Sequence, residues 1–229
     1  MDLYGQTSKS IPQKVVIHLL ELGLIWLSIW ILFRDGGDWC EKHLYIQNAS
    51  ENTARRMIIF AFNIITFLRI AYAMLFLLKR RIPWEESISV PIAFALYFVG
   101  FSLFVLPSTE PPGASDYFAI ALFGMGCILN SGSELLRNSW KKKPENTGRI
   151  YTGGLFRYSR HINYFGDVLW VLAYALITRS WFALVIPVLL FIFFAFYNAP
   201  KLDRYLQQKY GAQYDAYAKR TKMLVPFIF

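Results

Sequence analysis

The nine residues Ser159-Arg160-His161-Ile162-Asn163-Tyr164-Phe165-Gly166-Asp167 gather two basic groups, an amide, a phenol and a carboxylate beside a long apolar run. Polar groups set against hydrocarbon are costly unless they find partners. The cluster therefore asks for a polar ligand, and a cofactor meets that need. Upstream, segment 131–167 adds Glu134, Arg137, Lys141-Lys142-Lys143, Arg149, Arg157 and Gly153-Gly154. Arg and Lys neutralise phosphates while glycine backbones approach them closely, so a polyanion suits this segment. The same cations also suit a loop on the positively charged side of a membrane. Arg160, His161, Asn163, Tyr164 and Asp167 go further, because interface anchoring does not need five hydrogen-bonding side chains.

The elements that hold this cluster are helices in a bilayer. Of 229 residues 55% are hydrophobic and only 17% charged, and Leu, Ile, Phe and Val come in unbroken runs, which excludes an ordinary soluble domain. The sequence predicts an all-α integral membrane protein, a multispan bundle of about six helices, at about 14–33, 57–78, 88–107, 116–131, 164–178 and 181–198. The fourth and fifth are short for a span that needs ~20 residues. The whole chain reads as one transmembrane domain, with 1–131 forming the N-terminal helices around a substrate cavity and 132–229 the cofactor-binding half. The net charge of +9 is spread over short segments between apolar runs, so nucleic acid is not an expected partner. Lys79-Arg80-Arg81, the seven basic residues from Arg137 to Arg160, and the tail fall on one side, which places both termini in the cytosol. Loop 34–56 is the exception, with Arg34, Lys42, Arg55 and Arg56 among four acidic residues. Cys40 and Cys127 have no metal-ligand spacing, so neither disulfide nor metal is expected. Met1 to Gln6 show no basic leader with a cleavage site, so the first apolar segment is expected to be kept as a span.

Several motifs carry a resemblance. Ser133-Glu134-Leu135-Leu136-Arg137-Asn138, Thr147-Gly148, Gly153-Gly154-Leu155-Phe156, Tyr158, Asn163-Tyr164-Phe165-Gly166 and the ending Leu224-Val225-Pro226-Phe227-Ile228-Phe229 resemble the C-terminal half of the steroid 5α-reductases. Arg160-His161-Ile162-Asn163-Tyr164-x-Gly166-Asp167 and Lys209-Tyr210-Gly211 are as similar to the membrane sterol reductases that saturate ring double bonds with NADPH. The superfamily also holds isoprenylcysteine and phospholipid methyltransferases, which use S-adenosylmethionine and carry an Arg-His-Pro-x-Tyr motif. Ile162 and Asn163 depart from that motif toward the reductases, and a dinucleotide with three phosphates suits seven cations better than a sulfonium does.

The resemblance implies that Asn163 and Asp167 meet the nicotinamide-side amide and ribose, and that Tyr164 frames the cofactor. Arg137, Arg157 and Arg160 would meet phosphates, and Tyr210 and Tyr217 the adenosine end. One departure is Asn198-Ala199-Pro200-Lys201-Leu202-Asp203, where sterol reductases place a His-Arg-Glu-Arg-Arg cluster. Arg69 resembles an Arg that steroid 5α-reductases use on the cofactor, but the Tyr expected three residues earlier is Thr66. His18 and Glu21 share a helix face, as a structural pair or a proton donor. Trp84-Glu85-Glu86 reads as a surface turn.

As a whole the resemblance implies an NADPH-dependent oxidoreductase that saturates a carbon–carbon double bond of a lipid drawn from the bilayer. Glu21, Tyr72 and His161 are then the candidate proton donors, and the membrane is the endoplasmic reticulum or a bacterial inner membrane. The alternatives are an S-adenosylmethionine-dependent methyltransferase and a non-catalytic lipid-binding membrane protein. No obligate protein partner is inferred.

Overall fold

The structure, a computed structural model, describes residues 8–49 and 53–229, so the expectation for Met1 to Gln6 lies outside the described residues. Every regular element among the described residues is helical. We number them α1 (Ile11–Phe33), α2 (Gly36–Leu44), α3 (Thr53–Leu77), α4 (Glu86–Val105), α5 (Ala114–Lys141), α6 (Ile162–Thr178), α7 (Trp181–Tyr210) and α8 (Ala212–Arg220). Five of these, α1, α3, α4, α5 and α7, are long and apolar enough to cross a membrane, and α6 is a shorter apolar helix. Leu19, Trp26, Leu68, Ile88, Ile92 and Phe196 point outward from them. In water such surface would be unfavourable, whereas lipid accepts it.

Two expected spans are longer than the apolar runs that signal them. The fourth run stops at the polar stretch Asn130-Ser131-Gly132-Ser133, but the backbone crosses it in a π turn (Ile128–Gly132) and stays helical to Lys141. The sixth likewise passes through a π turn (Phe194–Asn198) and continues to Tyr210. Segment 131–167 is therefore not all loop. At 28 and 30 residues, α5 and α7 reach about 42 and 45 Å, well beyond a hydrocarbon core of ~30 Å. Their polar ends project past the bilayer core. An extra residue in a π turn also rotates the downstream part of the helix by roughly 100° relative to the apolar stripe before it.

The chain packs as two compact units that interleave along the sequence, residues 1–120 with 172–186, and residues 121–171 with 187–229. In the first unit the helices are tied by buried polar contacts. Asn63 Nδ2 donates to Ser28 Oγ at 2.8 Å, and Ser28 and Ser102 hydroxyls meet at 2.8 Å. Arg55 is fully buried, donating to Asp116 at 3.0 and 3.1 Å, to Ser108 and to the Pro111 carbonyl. Arg56 donates to the carbonyls of Leu32 and Ala49 and to Asn48. Two of the cations that made loop 34–56 exceptional are thus internal fasteners. Glu86 opens α4 and forms an ion pair with Arg80 at 2.7 Å, so the surface turn is limited to Trp84 and Glu85.

In the second unit α5 and α6 touch backbone to backbone. A Cβ on Gly126 would lie 2.5 Å from the Trp170 nitrogen and 2.7 Å from the Gly166 oxygen, and one on Gly166 would lie 2.6 Å from the Asn130 nitrogen. Only glycine permits this approach, which sets the start of α6 against the polar end of α5.

Candidate functional site

The start of α6 is held from the tail. The backbone N–H groups of Arg160 and His161 donate to the carbonyls of Lys222 and Met223, and Ser159 Oγ donates to those of Met223 and Leu224. Arg160 reaches α7, where its Nη2 and Nε donate to Asp203 Oδ2 at 2.9 and 3.3 Å, and its Nη1 donates to the carbonyls of Ala218 and Thr221. His161, almost fully buried, meets the other Asp203 oxygen through Nε2 at 2.8 Å. Tyr214 of α8 is a further hydrogen-bond partner of Asp203. One carboxylate thereby gathers α6, α7 and α8. Behind it, Tyr164 stacks between His161 and Phe194, with ring centroids 5.3 and 4.5 Å away.

Beside this hub lies a narrow cleft with a cavity volume of about 40 Å³. Arg137, Lys141, Arg160, Asn163, Tyr210 and Tyr217 line it, with His161, Tyr151 and Phe156 completing the wall. Leu202, Leu206 and Tyr210 supply one helical stripe of α7. Across α5 and α6, Asn163 Nδ2 donates to Glu134 Oε1 at 3.0 Å, and the other oxygen of Glu134 pairs with Arg137. Arg137 also lies 5.5 Å from the Phe156 ring centroid. Arg137 and Lys209 are each near enough to Lys141 to repel its charge. Such a cluster is most stable with an anion among it. The Tyr217 hydroxyl donates to the Phe156 carbonyl at 2.6 Å, and burial pushes its ionisation above the usual phenol range, so it stays a neutral donor. Burial and then the hydrogen bond to Asp203 do the same for Tyr214.

The structure thus brings Arg137, Arg160, His161, Asn163 and Tyr210 to one cleft, with Tyr164 packed behind them. Asp167, one turn beyond Asn163 on α6, accepts from Trp170 Nε1 at 2.7 Å and is not in the cleft lining. Arg157 is exposed, folded over the ring of Tyr158 at 4.6 Å, and also stands outside it. Glu21, Arg69 and Tyr72 belong to the first unit. There Glu21 is fully buried and 3.1 Å from His18 Nδ1, while its Oε1 and His18 Nε2 have no hydrogen-bond partner. Arg69 is half-buried on α3, and Tyr72 is exposed beside Phe76. The Tyr174 hydroxyl comes within 3.4 Å of Thr66 Oγ1, so a phenol reaches that position from α6.

Sequence reasoning missed Asp203 as a hub and Glu134 as the link between Asn163 and Arg137; of the three lysines it offered to a polyanion, Lys141 lines the cleft and Lys142 and Lys143 do not. The available signal was periodicity. Leu202, Leu206 and Tyr210 repeat every four residues, and Asp203 is the sole carboxylate of α7.

A bundle of membrane-spanning helices whose polar ends enclose a cation-lined, aromatic-walled cleft defines the class as multispan helical membrane proteins. The profile of the family described as "Protein of unknown function (DUF1295)" matches residues 87–221, and the chain belongs to that family. It is 33% identical over 110 residues to the 3-oxo-5-alpha-steroid 4-dehydrogenase 2 of Macaca fascicularis, covering 48% of this chain and 41% of that protein. It is 34% identical over 114 residues to the human 3-oxo-5-alpha-steroid 4-dehydrogenase 1, covering 49% and 40%. Over 100 residues it is 32% identical to the Probable O-methyltransferase ustE of Ustilaginoidea virens, covering 42% and 35%. The matched stretches span less than half of each relative's length.

Proposed function

We propose that this chain is a membrane reductase that uses NADPH to saturate a carbon–carbon double bond of a lipid. The observation that carries the reading is the meeting of Arg137 and Lys141, with Lys209 close to Lys141, at a cleft walled by Tyr151, Tyr210, Tyr217 and Asn163. The donor set suits the dinucleotide: clustered cations for phosphates, tyrosine faces for the flat rings, and the Asn163–Glu134 pair for amide and ribose hydroxyl groups. The similarity to two steroid dehydrogenases supports the same reading. When bound, NADPH supplies the hydride.

The chain's own residues divide the remaining work. Arg137 and Lys141 hold the phosphates. Glu134 orients Asn163 and Arg137 through its two oxygens. Arg160 spends its donors on Asp203 and two carbonyls, so it acts by holding α6, α7 and α8 in place. The narrowness of the cleft means that a dinucleotide enters by widening it. Glu21, buried in the first unit with one uncommitted oxygen, is that unit's candidate proton donor, and His18 positions it. Tyr174, reaching Thr66 from α6, is the candidate phenol for polarising an oxygen conjugated to the double bond. Because Arg55 and Arg56 are internal, the remaining cations favour a cytosolic face for the cleft and both termini.

The match to a probable O-methyltransferase favours one competing reading, S-adenosylmethionine in the same cleft. Thermal unfolding of the purified protein in detergent separates the two, since a ligand that prefers the native state raises the transition. NADPH is expected to raise it and S-adenosylmethionine to leave it unchanged, and Asn163→Ala to weaken the NADPH response at least tenfold in concentration. Stabilisation by S-adenosylmethionine alone overturns the reductase reading.

A further inference from the structure

We infer that the first unit carries a second binding site, for an amphiphile with an apolar chain and an anionic head. A cavity of about 790 Å³ opens among the ends of α2, α4, α6 and α7 and shares no residue with the cleft. Leu103, Phe104, Ile46 and Phe182 give it apolar walls, and the charged side chain in its lining is Arg179. That volume lies within the range of pockets that enclose small molecules.

The charge at Arg179 is only partly compensated. Its Nη2 contacts Asp116 Oδ2 at 3.1 Å, but Asp116 already accepts from Arg55 at 3.0 and 3.1 Å and from the Gly113 N–H at 2.8 Å. Two guanidinium groups therefore share one buried carboxylate. Glu110, the other partner of Arg179, is 71% exposed and 3.8 Å away, a separation at which water screens most of the attraction. Arg179, its side chain 33% exposed, thus presents a guanidinium held by one shared and one distant carboxylate at the wall of an apolar cavity. A neutral hydrocarbon would leave that cation unmatched, and a small soluble anion would leave the apolar walls wet. A molecule with both an acyl chain and an anionic group satisfies both.

Tyr45 and Phe182 are 91% and 78% exposed at the helix ends, the level at which aromatic side chains meet lipid head groups. A free fatty acid and a phospholipid present the same chemistry there.

The test uses the full chain in lipid nanodiscs, with three photoreactive probes of equal chain length: a fatty acid, the corresponding fatty alcohol and a phosphatidic acid. Labelled peptides are mapped by mass spectrometry. The fatty acid or the phosphatidic acid is expected to label residues 100–107 and 178–182 at least fivefold more than the alcohol, and the stronger of the two identifies the occupant. Arg179→Gln should bring that labelling down to the alcohol level. Gly100→Leu should lower it severalfold by filling the cavity, since an added Cβ there meets nothing closer than 3.8 Å. Equal labelling by acid and alcohol overturns the proposal, as does labelling of these segments no stronger than that of the outward faces of α1 and α3. The probe comparison in the unmodified chain decides the matter even if Arg179→Gln does not fold.

Discussion

Removing the carboxylate of Asp203 is expected to loosen the whole second unit. It accepts two contacts from Arg160 and one from His161, whose side chains are 14% and 1% exposed, and it partners Tyr214. Deleting one member of a buried pair costs about 3–5 kcal/mol, because the remaining charge has lost its partner away from water. Asp203 itself is 15% exposed, so some water reaches the site and the lower end applies, about 3 kcal/mol for Asp203→Ala. Asn keeps the volume and one acceptor oxygen, which reduces the loss to about 2 kcal/mol. For a chain of this size, about 2–4 °C per kcal/mol converts these losses to falls of about 6–12 °C and 4–8 °C in Tm. The assay is thermal unfolding in detergent followed by tryptophan fluorescence, with exposed Glu145→Gln as a control that stays within about 1 °C. In a double-mutant cycle Asp203→Asn and Arg160→Gln should couple by more than about 1 kcal/mol. A Tm for Asp203→Ala within 2 °C of the unmodified chain refutes the reasoning.

Other perturbations draw on the same geometry. Arg55→Met strips Asp116 of its bidentate partner and is expected to destabilise by about 3–5 kcal/mol in the same assay, whereas Arg34→Gln, exposed at the end of α1, should be neutral. Gly166→Val forces α5 and α6 apart and should abolish monodisperse folding on size-exclusion chromatography, while Gly23→Ala, which meets nothing within 4 Å, should leave it intact. The ionisation of Tyr217 is raised in the folded state, so its contribution is full below the ordinary phenol value of about 10 and is lost as pH rises above it. The unmodified chain should therefore lose more Tm between pH 9 and 11 than Tyr217→Phe does. Glu21→Gln should lower turnover with the lipid substrate by about 10²–10⁴-fold and leave the NADPH-induced shift in Tm unchanged, because in the proposed role it removes a proton donor and no cofactor contact.

How far the sequence revealed this arrangement depended on the range of the interaction. Apolar runs marked the spans, because an all-round hydrophobic helix is written in consecutive residues. The motif from Ser159 to Asp167 was legible as a site because so many polar groups beside hydrocarbon need an explanation. The continuation of α5 to Lys141 was not, since Asn130-Ser131-Gly132-Ser133 reads as a break and the π turn that carries the helix through it leaves no compositional mark. Asp203 was equally silent: its partners lie 42 and 43 positions away, where no periodicity connects them. Arg55 and Arg56 looked like loop charges for a related reason. The groups that accept from them are supplied by distant parts of the chain, including Leu32 and Asp116.

The central claim is that NADPH occupies the cleft between the ends of α5, α6, α7 and α8, and hydrogen–deuterium exchange of the full chain in detergent tests it most directly. NADPH is expected to slow exchange in residues 133–165 and 202–217 and to leave α1 and α2 unchanged, with no such protection from S-adenosylmethionine. Unchanged exchange in both segments at saturating NADPH, or protection there by S-adenosylmethionine alone, would contradict the account.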